Sequence, residues 1–178
     1  MNKKQNLRLK IKDIRNNGHF AGLDSVIIQN LFQTNVYISS HSLMIYYPIQ
    51  SEINLLSILE SEKIISFPCI REEKIVPYVY SGTFCEGQYK IKEPSNSRPI
   101  DIENLDLVIV PALCVDLKGY RIGYGKGYYD RFIKTLNRKK TKLLTLMYDE
   151  FVLDDIFPES FDERVDYIVT EKRVIKIG

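Results

Sequence analysis

Apolar residues recur along the chain in short runs, and the spacing within each run sets out the predicted elements. Between Lys4 and Asn16, Leu7, Ile11 and Ile14 share one helical face, and Gly18 ends the pattern. A second helix is predicted over 23–32, and helical spacing returns over 53–59. The run SLMIYY, over 42–47, is too short for a helix and meets Pro48, so it reads as a strand. Further strands are predicted over 63–67, ended by Pro68, over 76–80, 143–147 and 167–170. The run LVIV, over 107–110, sits between Asp106 and Pro111 and has the strongest signature of a buried strand. A helix is expected to start near Gly127 and reach about Asn137. Residues 82–99 carry Gly, Pro, Ser and Asn and read as a long connection with little regular structure.

Strands that alternate with helices and lack a polar face imply a mostly parallel central sheet flanked by helices. The expected architecture is therefore α/β, a single three-layer, Rossmann-like domain over 1–178. A length of 178 residues supports one full core, and 44% hydrophobic with 27% charged residues is a globular composition, neither disordered nor fibrous. No internal repeat interrupts it.

Charge and inventory narrow the function. A net charge of +2 gives no general field for polyanions, so any basic site must be local and nucleic acid is not an expected partner. No apolar run approaches a bilayer span, and the opening Met1-Asn2-Lys3-Lys4-Gln5-Asn6 lacks an apolar signal core, so a cytoplasmic location without membrane attachment is expected. Cys69, Cys85 and Cys114 are too few and too scattered for a disulfide framework or a zinc knuckle. With only His19 and His41, a histidine-rich metal site is excluded.

The most informative stretch runs from Gly119 to Asp130. Gly123, Gly125 and Gly127 alternate there, so every second position lacks a Cβ and the backbone can approach a ligand closely. Its N–H groups can form an anion nest at the start of a helix. Arg121 and Lys126 add two cations, and Asp130 in the first helical turn suits a Mg²⁺ ion that bridges phosphate oxygens. Two familiar phosphate motifs fail. A P-loop needs Ser or Thr after Gly-Lys, where Gly127 stands, and a dinucleotide fingerprint needs G-x-G-x-x-G. On these residues alone, a flexible turn with Tyr128 and Tyr129 packed as core remains the alternative.

The run Val110-Pro111 through Val115-Asp116, with Gly119, Arg121 and then Gly123-Tyr124-Gly125-Lys126-Gly127-Tyr128-Tyr129-Asp130-Arg131-Phe132, resembles the signature of the 5-formyltetrahydrofolate cyclo-ligase family. The resemblance is strong over 107–132 and weak over 71–88. Cys114 stands where the family usually has a small apolar or an aromatic residue, a difference that concerns packing. Lys4-Gln5-Asn6-Leu7-Arg8 matches the family's Lys-x-x-Leu-Arg opening, which implies that Lys4 and Arg8 reach ATP. Lys12 and Arg15 continue the basic stripe and are read as a solvated face. Tyr47 and Glu52 match a segment that contacts the folate, and Asp162 matches an acid implicated in metal binding. Glu93-Pro94 also matches the family and is assigned no chemistry.

The implied reaction is ATP-dependent cyclisation of 5-formyltetrahydrofolate to 5,10-methenyltetrahydrofolate, with release of ADP and phosphate. The resemblance implies an ATP site of Lys4, Arg8, Arg121, Gly123, Tyr124, Gly125, Lys126, Gly127, Tyr128 and Tyr129, with Arg121 and Lys126 catalytic. Tyr47, Glu52, Tyr124 and Tyr128 line the folate end, and Asp130 and Asp162 hold Mg²⁺. The expected partners are a reduced folate and ATP, and the expected state is a monomer. Two alternatives stay open: a paralogue acting on another small formyl or carboxyl compound, and a folate- or nucleotide-binding module without turnover.

Overall fold

The computed structural model describes residues 3–178; Met1 and Asn2, the first residues of the polar opening segment, lie outside them. Helix α1 covers Lys3–Asn17, α2 covers Leu23–Phe32 and α3 covers Asn35–Ile38. Thr34 caps α3 by accepting from the Tyr37 N–H, which meets one of the donors a helix start leaves open. The strands of the main sheet are β1 (Ser42–Met44), β2 (Ile64–Arg71), β3 (Lys74–Val79), β6 (Leu107–Ile109), β9 (Lys142–Leu146), β11 (Tyr167–Val169) and β12 (Val174–Lys176), with a hairpin of β4 (Phe84–Glu86) and β5 (Lys92–Pro94) between β3 and β6.

These strands form a seven-stranded sheet in the order β12-β11-β9-β6-β1-β2-β3. The five inner strands run parallel, and β3 and β12 close the edges antiparallel to their neighbours. Leu43, Met44, Leu107, Val108, Ile109, Leu143, Leu144 and Ile168 are fully buried, as a parallel sheet covered on both faces demands. The order reverses between β1 and β6: β2 and β3 build outward on one side, and β6, β9 and β11 on the other. Such a switch point opens a crevice at the carboxyl ends of the two strands. A smaller sheet of β10 (Val152–Leu153), β7 (Cys114–Asp116) and β8 (Arg121–Ile122) follows β6, and α4 (Tyr128–Ile133) follows β8.

Several sequence expectations need correction. Strand β2 does not stop at Pro68. Pro68 pairs with Pro77 in the β2–β3 ladder, and two residues without N–H fit a non-hydrogen-bonded pair. The stretch over 53–59 forms no α-helix; a 3₁₀ segment, Leu56–Glu60, overlaps its second half. The connection over 82–99 holds the β4–β5 hairpin, whose tip turns through Tyr89 and Lys90 at positive φ. Helix α4 is only six residues long and ends at Ile133. Arg15 is 3% exposed, so it does not belong to a solvated face.

Candidate active site

A cavity of about 490 Å³ lies at the β1/β6 switch point, and every residue singled out above for ATP, folate or metal contributes to its wall. Those residues come from four parts of the chain. Helix α1 presents Lys4 and Arg8, and the segment after β1 supplies Tyr46, Tyr47 and Glu52. Arg121 to Asp130 form the floor, and the loop before β11 adds Glu159, Phe161 and Asp162. The rest of the wall is mixed: Ile49, Pro68, Ile70, Ile75 and Ile91 give it an apolar part, beside the polar Lys92 and Glu93 of β5. The cavity therefore has one cationic end and one end suited to a flat, partly apolar molecule.

The glycine loop is shaped by two of its three glycines. Gly125 has φ 95° and Gly127 has φ 66°, conformations that cost a side chain about 1–2 kcal/mol. Gly123 is not in that region, and a Cβ there would meet open space. Among the described residues, nothing accepts from the backbone N–H groups of Gly123 to Gly127, which leaves a row of donors at the cavity floor. Arg8 braces the loop from beneath: its Nε donates to the Gly123 carbonyl at 2.8 Å. A Cβ on Gly125 would come within 3.4 Å of the Arg8 guanidinium.

The charged side chains are pre-arranged in pairs. Arg121, 5% exposed, donates from Nη1 to Asp130 Oδ1 and to the Glu163 carbonyl, each at 3.0 Å. Lys4 is ion-paired with Asp162 and with Glu159. Lys126 is exposed and rests its Nζ 3.3 Å from the centroid of the Tyr89 ring, a cation–π contact. The Tyr89 and Tyr128 hydroxyls are 3.0 Å apart, so the β4–β5 hairpin tip touches the start of α4, where the glycine loop ends.

At the other end, the Glu52 Oε2 accepts from the Ile49 N–H at 2.9 Å. Burial in the cavity wall pushes the Glu52 carboxyl up to about 7. The Tyr124 hydroxyl faces it, and burial together with the Glu52 charge raises the Tyr124 phenol. Tyr129 also lies in the field of Glu52. The Tyr124 and Tyr129 hydroxyls are buried without a well-formed hydrogen bond. A carboxyl raised toward neutrality by burial, with the Tyr124 and Tyr129 hydroxyls buried around it, is a polar cluster suited to a ligand.

Among the described residues, no three acidic, histidine or cysteine groups cluster as a metal cage. Among the described residues, Asp130 accepts through Oδ1 and Asp162 through Oδ2, and both residues line the cavity. Two carboxylates with an oxygen to spare suit a Mg²⁺ ion whose other ligands come from phosphate and water.

Sequence reasoning missed Tyr89 and Arg15. Tyr89 lies in a hairpin of three-residue strands, too short to leave a periodic pattern. Arg15 gave a usable signal, because it continues the Lys4–Arg8 stripe whose first two members point into the protein.

A model of the 5-formyltetrahydrofolate cyclo-ligase family matches residues 1–171. A 5-formyltetrahydrofolate cyclo-ligase of Mycolicibacterium smegmatis is 31% identical over 153 residues, covering 78% of this chain and 77% of its own length. One of Mycoplasma genitalium is 28% identical over 133 residues, covering 72% and 71%. The solved 5,10-methenyltetrahydrofolate synthetase of Aquifex aeolicus superposes with a TM-score of 0.88 at 29% identity, over 98% of this chain and 92% of that one. A synthetase from Mycoplasma pneumoniae shares the fold at a TM-score of 0.76 and 20% identity, over 94% and 98%.

Proposed function

The chain belongs to the 5-formyltetrahydrofolate cyclo-ligase family, and from that premise we propose that it converts 5-formyltetrahydrofolate and ATP to 5,10-methenyltetrahydrofolate, ADP and phosphate. The observation that carries this reading is the two-ended cavity, with open N–H donors and cations at one end and the Glu52–tyrosine cluster at the other.

The chemistry needs both ends. A formyl group on nitrogen is a weak electrophile, and its oxygen leaves poorly. Transfer of the γ-phosphoryl group to that oxygen makes it a leaving group. N10 then attacks the formyl carbon, the C–O bond breaks, phosphate departs and N10 loses its proton. The protein's contribution is to position the reactants and neutralise charge.

Lys126, Arg8, Lys4 and Arg121 surround the phosphates, and the N–H groups of Gly123, Gly125 and Gly127 meet the oxygens. Tyr129 and Tyr128 flank the nucleotide from α4. Asp130 and Asp162 are the residues that would hold Mg²⁺, which when bound neutralises phosphate charge. Tyr47, Tyr124 and Tyr128 line the pterin and formyl end. Glu52, with a carboxyl poised near neutrality, takes up the N10 proton.

No helix among the described residues is long and apolar enough to cross a membrane, which fits a cytoplasmic enzyme, here read as a monomer. Mixing the protein with 5-formyltetrahydrofolate, with and without ATP, tests the reading. Methenyl product that appears only with ATP is expected; no product with ATP and Mg²⁺ present would overturn it.

A further inference from the structure

Arg15 is a buried cation that lines no part of the cavity wall and has no carboxylate within ion-pair distance among the described residues. Such a charge is costly unless its donors are met. The guanidinium meets most of that need with main-chain carbonyls. Nη1 donates to Ala112 O at 2.8 Å and Leu113 O at 3.0 Å, just after the end of β6. Nη2 donates to Ser51 O at 2.7 Å. Its Cζ lies 5.4 Å from the Tyr148 ring and 5.6 Å from the Phe151 ring, and Nε has no partner among the described residues.

The position of Ser51 gives this contact its meaning. It precedes Glu52 directly, and it follows Gln50, a non-glycine residue held at φ 51°. A turn with a left-handed non-glycine residue persists only where its surroundings fix it. The strand β1 has ended before this turn, so sheet pairing does not hold it. One planar, forked side chain thus ties the Glu52 turn to the end of β6, across the switch point that opens the cavity.

We infer that Arg15 is the positioning residue for Glu52: it fixes the turn that aims this carboxylate into the folate end of the cavity. The inference rests on the function proposed above. Its charge has a second effect. The groups facing Glu52 are Tyr46 after β1, Tyr124 in the glycine loop, Tyr129 on α4 and Arg15 on α1. Among them Arg15 supplies the positive charge that favours the ionised carboxylate against burial.

The test compares wild type, Arg15→Met and Arg15→Lys for ATP dissociation constant, steady-state kinetics and pH profile. In Arg15→Met, ATP affinity is expected to stay within about twofold, while kcat/KM for 5-formyltetrahydrofolate falls about tenfold or more. The limb of its pH profile that reports Glu52 is expected to move to higher pH. Arg15→Lys keeps the charge and loses the fork, so its limb stays in place while its folate KM rises. Unchanged folate kinetics in either folded variant would overturn the inference. So would an equal fall in ATP and folate binding, which marks Arg15 as scaffold only. If Arg15→Met does not fold, the KM shift and fixed pH limb of Arg15→Lys decide the matter. A wild-type protein that makes no product contradicts the proposed function itself, a result distinct from any difference between variants.

Discussion

Arg121 Nη1 donates to Asp130 Oδ1 at 3.0 Å, joining the start of β8 to the first turn of α4 across the glycine loop. The pair holds both ends of the loop, and it turns the remaining Asp130 oxygen to a proposed metal. Asp130→Asn keeps an acceptor for Arg121 but removes the charge. We expect a melting temperature within a few degrees of wild type, because Arg121 retains the Glu163 carbonyl. The Mg²⁺ concentration for half-maximal rate should rise about tenfold or more. An unchanged Mg²⁺ titration removes Asp130 from the metal site.

Lys126 is exposed and, among the described residues, its side chain is held by Tyr89. Its loss should leave stability within about 0.5 kcal/mol. Lys126→Ala should nevertheless lower kcat/KM by more than about tenfold, or about 1.4 kcal/mol of transition-state stabilisation. Steady-state kinetics beside a denaturation curve separates the two effects, and a smaller kinetic loss refutes the role given to Lys126.

The glycines of the loop should respond differently to alanine. Gly125→Ala places a Cβ at φ 95° against the Arg8 guanidinium, and should cost about 1–2 kcal/mol of stability. Gly123 is not at a positive φ, and a Cβ there meets open space, so the melting curve of Gly123→Ala should match wild type. Weaker ATP binding by this stable variant would mark Gly123 as a point of close phosphate approach. Unaltered ATP binding would place the phosphates elsewhere on the loop.

Burial raises the Glu52 carboxyl from 4.5 to about 7, so the folded state binds this proton more tightly than the unfolded chain does. The stabilising contribution of this group is therefore full below about 4.5 and is lost as pH rises through about 7. Glu52→Gln removes that dependence. Relative to wild type it should gain stability between pH 5 and 8, by at most roughly 3 kcal/mol. Paired melting curves across that range check the sign; a gap that narrows with rising pH contradicts the buried setting of Glu52.

The glycine loop was legible in the sequence as a close-approach backbone because Gly123, Gly125 and Gly127 alternate, with Arg121 before them and Lys126 among them. The parallel sheet was legible because LVIV over 107–110 and its counterparts carry no polar face. The inward face of α1 was not. Leu7, Ile11 and Ile14 mark a helix, but the protein buries Lys4, Ile11 and Arg15 and leaves Ile14 39% exposed. A helix that lines a polar cavity hides its cations, and apolar periodicity cannot report that. The extent of β2 was misread because the proline rule assumes a donor is needed at Pro68, where the facing Pro77 asks for none. The β4–β5 hairpin escaped because three-residue strands carry too few positions to show alternation.

The central claim is that one cavity brings the γ-phosphoryl group of ATP to the formyl oxygen of the folate. It is tested most directly by labelling that oxygen with its heavy isotope and weighing the phosphate released in a single turnover. The account predicts that the label leaves in inorganic phosphate, one atom for each methenyl product formed. Label appearing in water, with unlabelled phosphate, would contradict it.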